Sequence, residues 1–444
     1  MKIALIRCFW IPVSWPPDIG LAYIAAVLKK DGHEVSVFDL NIEFYHKMGE
    51  FREKLNQGNR YILEELGEVF LQKYPDLINA ICNDILKLQP EIIGFCVWET
   101  NAIVSRNLAK RLKEIDPSIF IIFGGPDSYP LFSGKKALED KVADVVVYGE
   151  AEITIRRVLD SISKDRKVIP IRGTIINTNG KIIDCGWPDL VENLDELPIP
   201  AWDEFPLQLY VDKNILPISF SRGCAYKCEY CPREMYPKYR HRSAENILSE
   251  IEFWFGRYPN RRTFSVSDSA LNNNLKQIEK LCDLIIDKNL NVKFGGFVVP
   301  HPRMDYKFLS KMKRAGFDGF CYGVESGSDR ILAKLGKKIK LETIERIIKE
   351  TYEAGIRVTV DFLVGLPGES EDDFNKSLDF LIRNRKYIDD VGTSRYDLAK
   401  YSYIYSHREE FELVPEEVKN IRLARLKEIV NSLNLSETNK YLLS

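Results

Sequence analysis

Three thiols crowd into eight positions of this chain: Cys224, Cys228 and Cys231 lie within "SFSRGCAYKCEYCPREMY" (219–236) in a CxxxCxxC pattern. Thiolates that close together are soft metal ligands. A structural zinc site closes four ligands, usually as paired CxxC knuckles, and would need His241 as a distant fourth. A redox CxxC pair would leave Cys224 idle. An iron–sulfur cluster explains the count, because three irons take a thiolate and the fourth stays open for a substrate. The remaining cysteines, Cys8, Cys82, Cys96, Cys185, Cys282 and Cys321, are scattered singly, and the total of nine is odd. That pattern argues against a disulfide framework and for reduced thiols.

Such a loop needs a scaffold, and the chain supplies two. At 444 residues, 45 % hydrophobic, with a formal charge of −2, it is long enough for two or three domains. Its 63 basic and 65 acidic residues are interspersed, which excludes a basic nucleic-acid footprint. The start, "MKIALIRCFWIPVSWPP", has only a short apolar run broken by prolines, and no uncharged run of about 18 apolar residues occurs. The expectation is a soluble cytoplasmic protein with no membrane span.

In the first half, "KIALIRC" (2–8), "EVSVFDL" (34–40), "IIGFCVW" (92–98), "IFIIFGG" (119–125) and "ADVVVYG" (143–149) read as buried strands between amphipathic helices. This βα order predicts a doubly wound, Rossmann-like parallel sheet over 1–195. The insert 41–77 reads as helical and charged, capping one edge, and 165–194 as hairpin-like. Prolines in "LDELPIPAWDEFP" (194–206) mark a linker, placed at 196–207. Beyond it, "ILPISFS" (215–221), "TFSVSD" (263–268), "VKFGGFVV" (292–299), "FDGFCYGVE" (317–325) and "RVTVDFLVG" (357–365) are strand candidates, with a sixth near "GTSRYDLAKYSYI". Six βα units predict a partial, open (βα)6 barrel over 208–400, and 401–444 a short helical tail. Chemistry in both folds sits at the strands' C-terminal ends, where the cysteine loop falls.

"SRGCAYKCEYCP", "YRHRSAENILSEI", "FSVSDSALNNN", "GVESGSDRILAKLGKK" and "VDFLVGLPGESEDDF" resemble successive blocks of the radical S-adenosylmethionine superfamily, in its cobalamin-binding subgroup. "PPDIGLAYIAAVLKKDGHEVSVFD", "PEIIGFCVWETN", "IIFGGPDSYP" and "VVVYGEAE" resemble that subgroup's cobalamin domain. The resemblance covers most of residues 1–376. It implies that Cys224, Cys228 and Cys231 ligate a 4Fe-4S cluster whose open iron chelates S-adenosylmethionine. It also implies that Tyr230 lies against the adenine, and that Asp268, Glu325 and Ser326 meet the ribose and amino-acid parts. "GLPGE" (365–369) would supply glycines for close backbone approach. For cobalamin it points to Trp98 and Thr100 after the third strand, Gly124 and Gly125 after the fourth, and Tyr148, Gly149 and Glu150 after the fifth. "DGHEVS" departs from the DxHxxG motif whose histidine ligates cobalt, so His33 reads as a turn residue, and the lower cobalt face would see water or a side chain such as Trp98.

The activity implied is C-methylation of an unactivated carbon through a deoxyadenosyl radical and methylcobalamin, with an electron donor of the flavodoxin or ferredoxin type. The alternative keeps both domains for cyclisation, dehydration or rearrangement, with cobalamin a redox partner or absent. A non-catalytic metal-binding module would hold zinc and turn over no S-adenosylmethionine. The acceptor would be a peptide or protein side chain, a lipid or a natural-product intermediate.

Overall fold

The computed structural model describes residues 1–9, 16–45, 75–165 and 167–437. The chain divides into two compact units, 1–213 and 214–444.

In the first unit β1 (Lys2–Arg7), β2 (Glu34–Asp39), β3 (Ile92–Cys96), β4 (Phe120–Gly124) and β5 (Val145–Val147) pair in parallel, and β6 (Thr174–Thr178) and β7 (Lys181–Asp184) add an antiparallel hairpin. The sheet order is β2-β1-β3-β4-β5-β6-β7, so the strand order reverses beside β1 and β3. The strands are short apolar runs because helices such as Ile19–Lys30 and Ala102–Ile115 intervene between them. The insert 41–77 falls mostly outside the described residues; its flanks are the helices Leu40–Tyr45 and Pro75–Leu86.

The proline-marked segment is built into this unit. It forms 3-10 turns at Leu194–Glu196, Trp202–Glu204 and Leu207–Leu209, and the Trp202 ring is fully buried. Downstream, the Tyr210 hydroxyl donates to Asp39, whose other partner is the Arg7 guanidinium at 3.1 Å. Arg7 and Asp39, both buried, end β1 and β2, so this polar knot holds the segment to the sheet's C-terminal edge.

In the second unit β8 (Ile215–Ile218), β9 (Ser221–Arg222) and β10 (Arg240–His241) open the chain, followed by β11 (Thr263–Val266), β12 (Lys293–Val298), β13 (Phe317–Glu325), β14 (Arg357–Val364), β15 (Asp390–Arg395) and β16 (Ser436–Glu437). β9 and β10 form a two-residue antiparallel ribbon. The others make one parallel sheet in the order β8-β11-β12-β13-β14-β15-β16, with β8 and β16 at its edges. Alternate residues divide the labour. Tyr322 and Phe362 face the helices, Tyr322 bonding Thr351 at 2.7 Å and Phe362 packing on Phe380 at 5.7 Å between ring centroids. Burying each such ring contributes about 2–3 kcal/mol. Gly323, Asp361 and Gly392, neighbours in register across β13, β14 and β15, share the opposite face.

The C-terminal residues extend the sheet. Helix Glu416–Ser432 packs against β15, and β16 pairs with β15 as a seventh parallel strand. Six strands are legible from the sequence; β16, with two residues, carries no periodic signal.

Candidate functional site

The cysteine loop runs from β9 to β10 and is clasped by its own chain. Gly223, at φ +78°, precedes the first thiol, and a Cβ there would overlap the Lys238 carbonyl, so only glycine fits. Asn273 Oδ1 accepts from the Ala225 amide at 3.1 Å and lies 3.9 Å from Cys224 Sγ. The Glu229 amide donates to the Leu335 carbonyl at 2.9 Å, and the Glu229 carbonyl accepts from the Ile404 amide at 3.1 Å. Cys224, Cys228 and Cys231 are half-buried and unoxidised. Burial pushes the Cys231 thiol up to about 12, and the neighbouring Cys228 and Cys224 push the same way.

Among the described residues, no three His, Cys, Asp or Glu side chains converge on a point that would hold one metal ion. The three thiols are near enough to feel one another's charge but do not make a single-ion cage. Three thiols on one loop fit a cluster in which each thiolate takes a different iron. His241 sits in the β9–β10 ribbon with its Nδ1 3.2 Å from the Arg242 carbonyl oxygen.

Tyr230 and Glu325 meet. The Tyr230 hydroxyl donates to Glu325 Oε1 at 2.8 Å, and Lys337 Nζ approaches the same oxygen at 3.1 Å. Glu325 ends β13 at φ +69°, just past a register shift between Gly323 and Glu325. A non-glycine residue in that region is held there at a cost of about 1–3 kcal/mol, which marks a site. Tyr230 packs against the buried cluster formed by Ile331, Leu335, Leu366, Tyr396 and Ile404. Ser326 is fully buried, and its Oγ accepts from the Ser328 amide at 3.2 Å.

Asp268 has its own set of protein partners. Its carboxylate accepts from the Phe220 amide at 2.9 Å, from Ser221 Oγ at 2.6 Å and from Ser219 Oγ at 3.3 Å, and only 4 % of the residue is exposed. Burial pushes its pKa up to about 6 against those hydrogen bonds. Asp268 therefore braces the β8–β9 turn that leads into the cysteine loop. "GLPGE" is likewise turned inward. Gly365 N donates to Glu369 Oε2 at 2.8 Å, Arg422 of the C-terminal helix pairs with the same oxygen at 2.9 Å, and Lys419 lies over Gly365. On the lumen face, Cys321 Sγ donates to Asp361 Oδ2 at 3.1 Å.

In the first unit, the expected residues gather at the C-terminal ends of β3, β4 and β5. Thr100 Oγ1 and Ser128 Oγ, following β3 and β4, are buried hydroxyls with no hydrogen-bond partner among the described residues. Orphaned donors at adjacent strand ends suit a polar ligand such as the tail of a nucleotide-like cofactor. Trp98 is half-buried, its amide donating to Asn101 Oδ1 at 2.9 Å. The glycines serve the chain itself. Gly125 (φ +99°) is so close to β3 that a Cβ would sit 2.7 Å from the Val97 amide and carbonyl, while at Gly149 (φ +73°) it would sit 2.7 Å from the Pro188 ring. Gly124 has ordinary contacts. Tyr148 is buried, donates to Asp184 at 2.7 Å and packs on Tyr129 and Trp187; Glu150 is half-buried beside it. His33 forms the turn into β2, 3.4 Å from the chain's amino terminus, at the N-terminal end of that strand.

Asn273, Lys337, Ser128 and Arg422 escape sequence reasoning. A polar run, a lysine pair, a turn serine and a charged helix are ordinary surface signals, and nothing in their spacing separates these residues from their neighbours.

Residues 218–381 match the family model of the Radical SAM superfamily. An uncharacterized methyltransferase of Pyrococcus horikoshii is 24 % identical over 375 residues, covering 82 % of this chain and 72 % of that protein. An anaerobic magnesium-protoporphyrin IX monomethyl ester cyclase of Synechocystis is 22 % identical over 378 residues, covering 84 % and 69 %. The structure of TsrM, a radical S-adenosylmethionine methyltransferase from Kitasatospora setae with cobalamin and a [4Fe-4S] cluster bound, superposes with a TM-score of 0.68 at 18 % identity, covering 91 % of this chain and 73 % of that one. Residues 218–381 thus match the Radical SAM superfamily, and the chain shares the fold of TsrM over 91 % of its length.

Proposed function

We propose that the protein is a cobalamin-dependent radical S-adenosylmethionine C-methyltransferase. The observation that carries this reading is the cysteine loop, three mutually close thiols clasped at the C-terminal end of a partial parallel barrel. The methyltransferases of Pyrococcus horikoshii and Kitasatospora setae among its relatives support methyl transfer. When bound, the cofactors supply one-electron cleavage of S-adenosylmethionine and a transferable methyl group.

The chain's own residues bind and aim. Cys224, Cys228 and Cys231 hold three corners of the cluster, and Asn273, Gly223 and Asp268 fix the loop that carries them. Tyr230 offers a ring face to the adenine, while Glu325, pinned by Tyr230 and Lys337, presents a carboxylate to the ribose or ammonium of S-adenosylmethionine. Thr100 and Ser128 donate to the cobalamin tail. Gly323 and Gly392 leave room on the lumen face for the carboxylates of Glu325 and Asp361, which a Cβ at either position would displace. The electron comes from a flavodoxin- or ferredoxin-type donor. No described helix is long and apolar enough to cross a membrane.

The test is anaerobic reconstitution of the full chain with iron, sulfide and cobalamin, followed by methyl-labelled S-adenosylmethionine and candidate acceptors: peptides, lipids and natural-product intermediates. Mass spectrometry should find label in the acceptor, and a chain with all three loop cysteines changed to Ala should hold no iron. Equal iron in that triple variant would sink the cluster. Resemblance to the cyclase of Synechocystis favours a second reading, cyclisation or rearrangement, which predicts a product without added methyl mass.

A further inference from the structure

Lys337 is a largely buried lysine paired with a largely buried carboxylate. Its side chain is 10 % exposed and that of its partner Glu325 is 11 % exposed. Holding an ion pair out of water costs several kcal/mol per ion, and an apolar pair of similar volume would be as stable. Its place is set by the cysteine loop. Residues 335–337 lie along residues 227–230: the Glu229 amide bonds the Leu335 carbonyl at 2.9 Å, and a Cβ on Gly336 would sit 3.1 Å from the Lys227 carbonyl. This delivers the Lys337 ammonium to the Gly323 carbonyl, to Glu325 Oε1 at 3.1 Å, and to a point 5.9 Å over the ring of Tyr230, the residue covalently joined to Cys231. Its positive charge acts on all three thiols; the Glu325 charge opposes it at Cys228 and Cys231.

We propose that Lys337 is a positioning residue that sets the electron affinity of the group held by Cys224, Cys228 and Cys231. This rests on the cluster reading above. Accepting one electron adds one negative charge to the cluster. A fixed ammonium in a water-poor site favours the more negative state and raises the reduction potential, and the Glu325 carboxylate lowers it. The pair is thereby a built-in bias, with the lysine as its positive arm.

The experiment is a redox titration of the reconstituted full chain. Dithionite is oxidised through low-potential viologen mediators, the cluster gains one electron, and electron paramagnetic resonance follows the reduced form. Lys337→Gln, which keeps hydrogen-bond donors but not the charge, should titrate at a more negative potential than the parent with equal iron content. Lys337→Arg should restore the parent value, and Glu325→Gln should move it in the positive direction. A parent-like potential in Lys337→Gln with full iron overturns the proposal. So does loss of iron in both Lys337 variants, which would make the lysine structural. A parent chain that takes up no iron instead overturns the cluster reading itself.

Discussion

Asp268→Ala separates a brace from a ligand contact. In the structure it would leave the Phe220 amide and the Ser221 hydroxyl buried without their acceptor, at about 1–3 kcal/mol each. Against that stands the cost of the buried charge: raising the carboxyl from 3.8 to about 6 is worth about 3 kcal/mol. The sign follows from proton binding. The folded carboxyl holds its proton more tightly than the unfolded one, so its contribution to stability is full below pH 3.8 and lost as pH rises through about 6. The alanine chain lacks this dependence, so its deficit should be small at pH 8 and grow by about 1–2 kcal/mol on going to pH 5, roughly tenfold in the opening equilibrium. Hydrogen exchange of a peptide spanning residues 216–222, corrected for intrinsic rates, measures that opening in the full chain. Iron uptake on reconstitution should fall with it. A deficit that is constant with pH, or larger at pH 8, would refute the reasoning. Full protection with weakened S-adenosylmethionine binding would make Asp268 a ligand contact after all.

Two further substitutions test parts of the scaffold. Gly125→Ala should destabilise the first unit by about 3 kcal/mol, combining left-handed strain with a clash against Val97, so faster proteolysis should appear without any cobalamin; wild-type stability with loss of cobalamin binding alone would contradict this. Arg422→Met strands Glu369 in the interior, which costs about 3–5 kcal/mol and should lower the melting temperature by about 10 °C at pH 8. Burial pushes Glu369 up to about 7, so at pH 6 the carboxyl takes a proton and the deficit should shrink; an unchanged deficit would argue against it.

Where the chain advertises itself is where one physical signal dominates. The parallel strands are legible because both faces are covered, which forces β-branched and apolar runs. The thiols are legible because few roles need three so close. Strand-end polar residues such as Asp268 and Glu325 are legible as positions but not as partners. Asp268 looks inward to Phe220 and Ser221, and Glu325 to Tyr230, 95 positions away. Lys337 and Arg422 are illegible for a different reason: a long cationic side chain reads as solvated until a distant carboxylate is seen beside it. The prolines of 194–206 mislead in a third way, since they break helices and strands alike while the segment is pinned by Trp202 and Tyr210.

The clasp around the cysteine loop has a consequence for distant residues. The β9–β10 ribbon, Asn273, and the backbone bonds of Glu229 to Leu335 and Ile404 hold the loop by protein contacts alone. The shape of the loop is then tied to residues more than a hundred positions away, and a substitution that disturbs the backbone at Leu335 or Ile404 would be felt at the thiols.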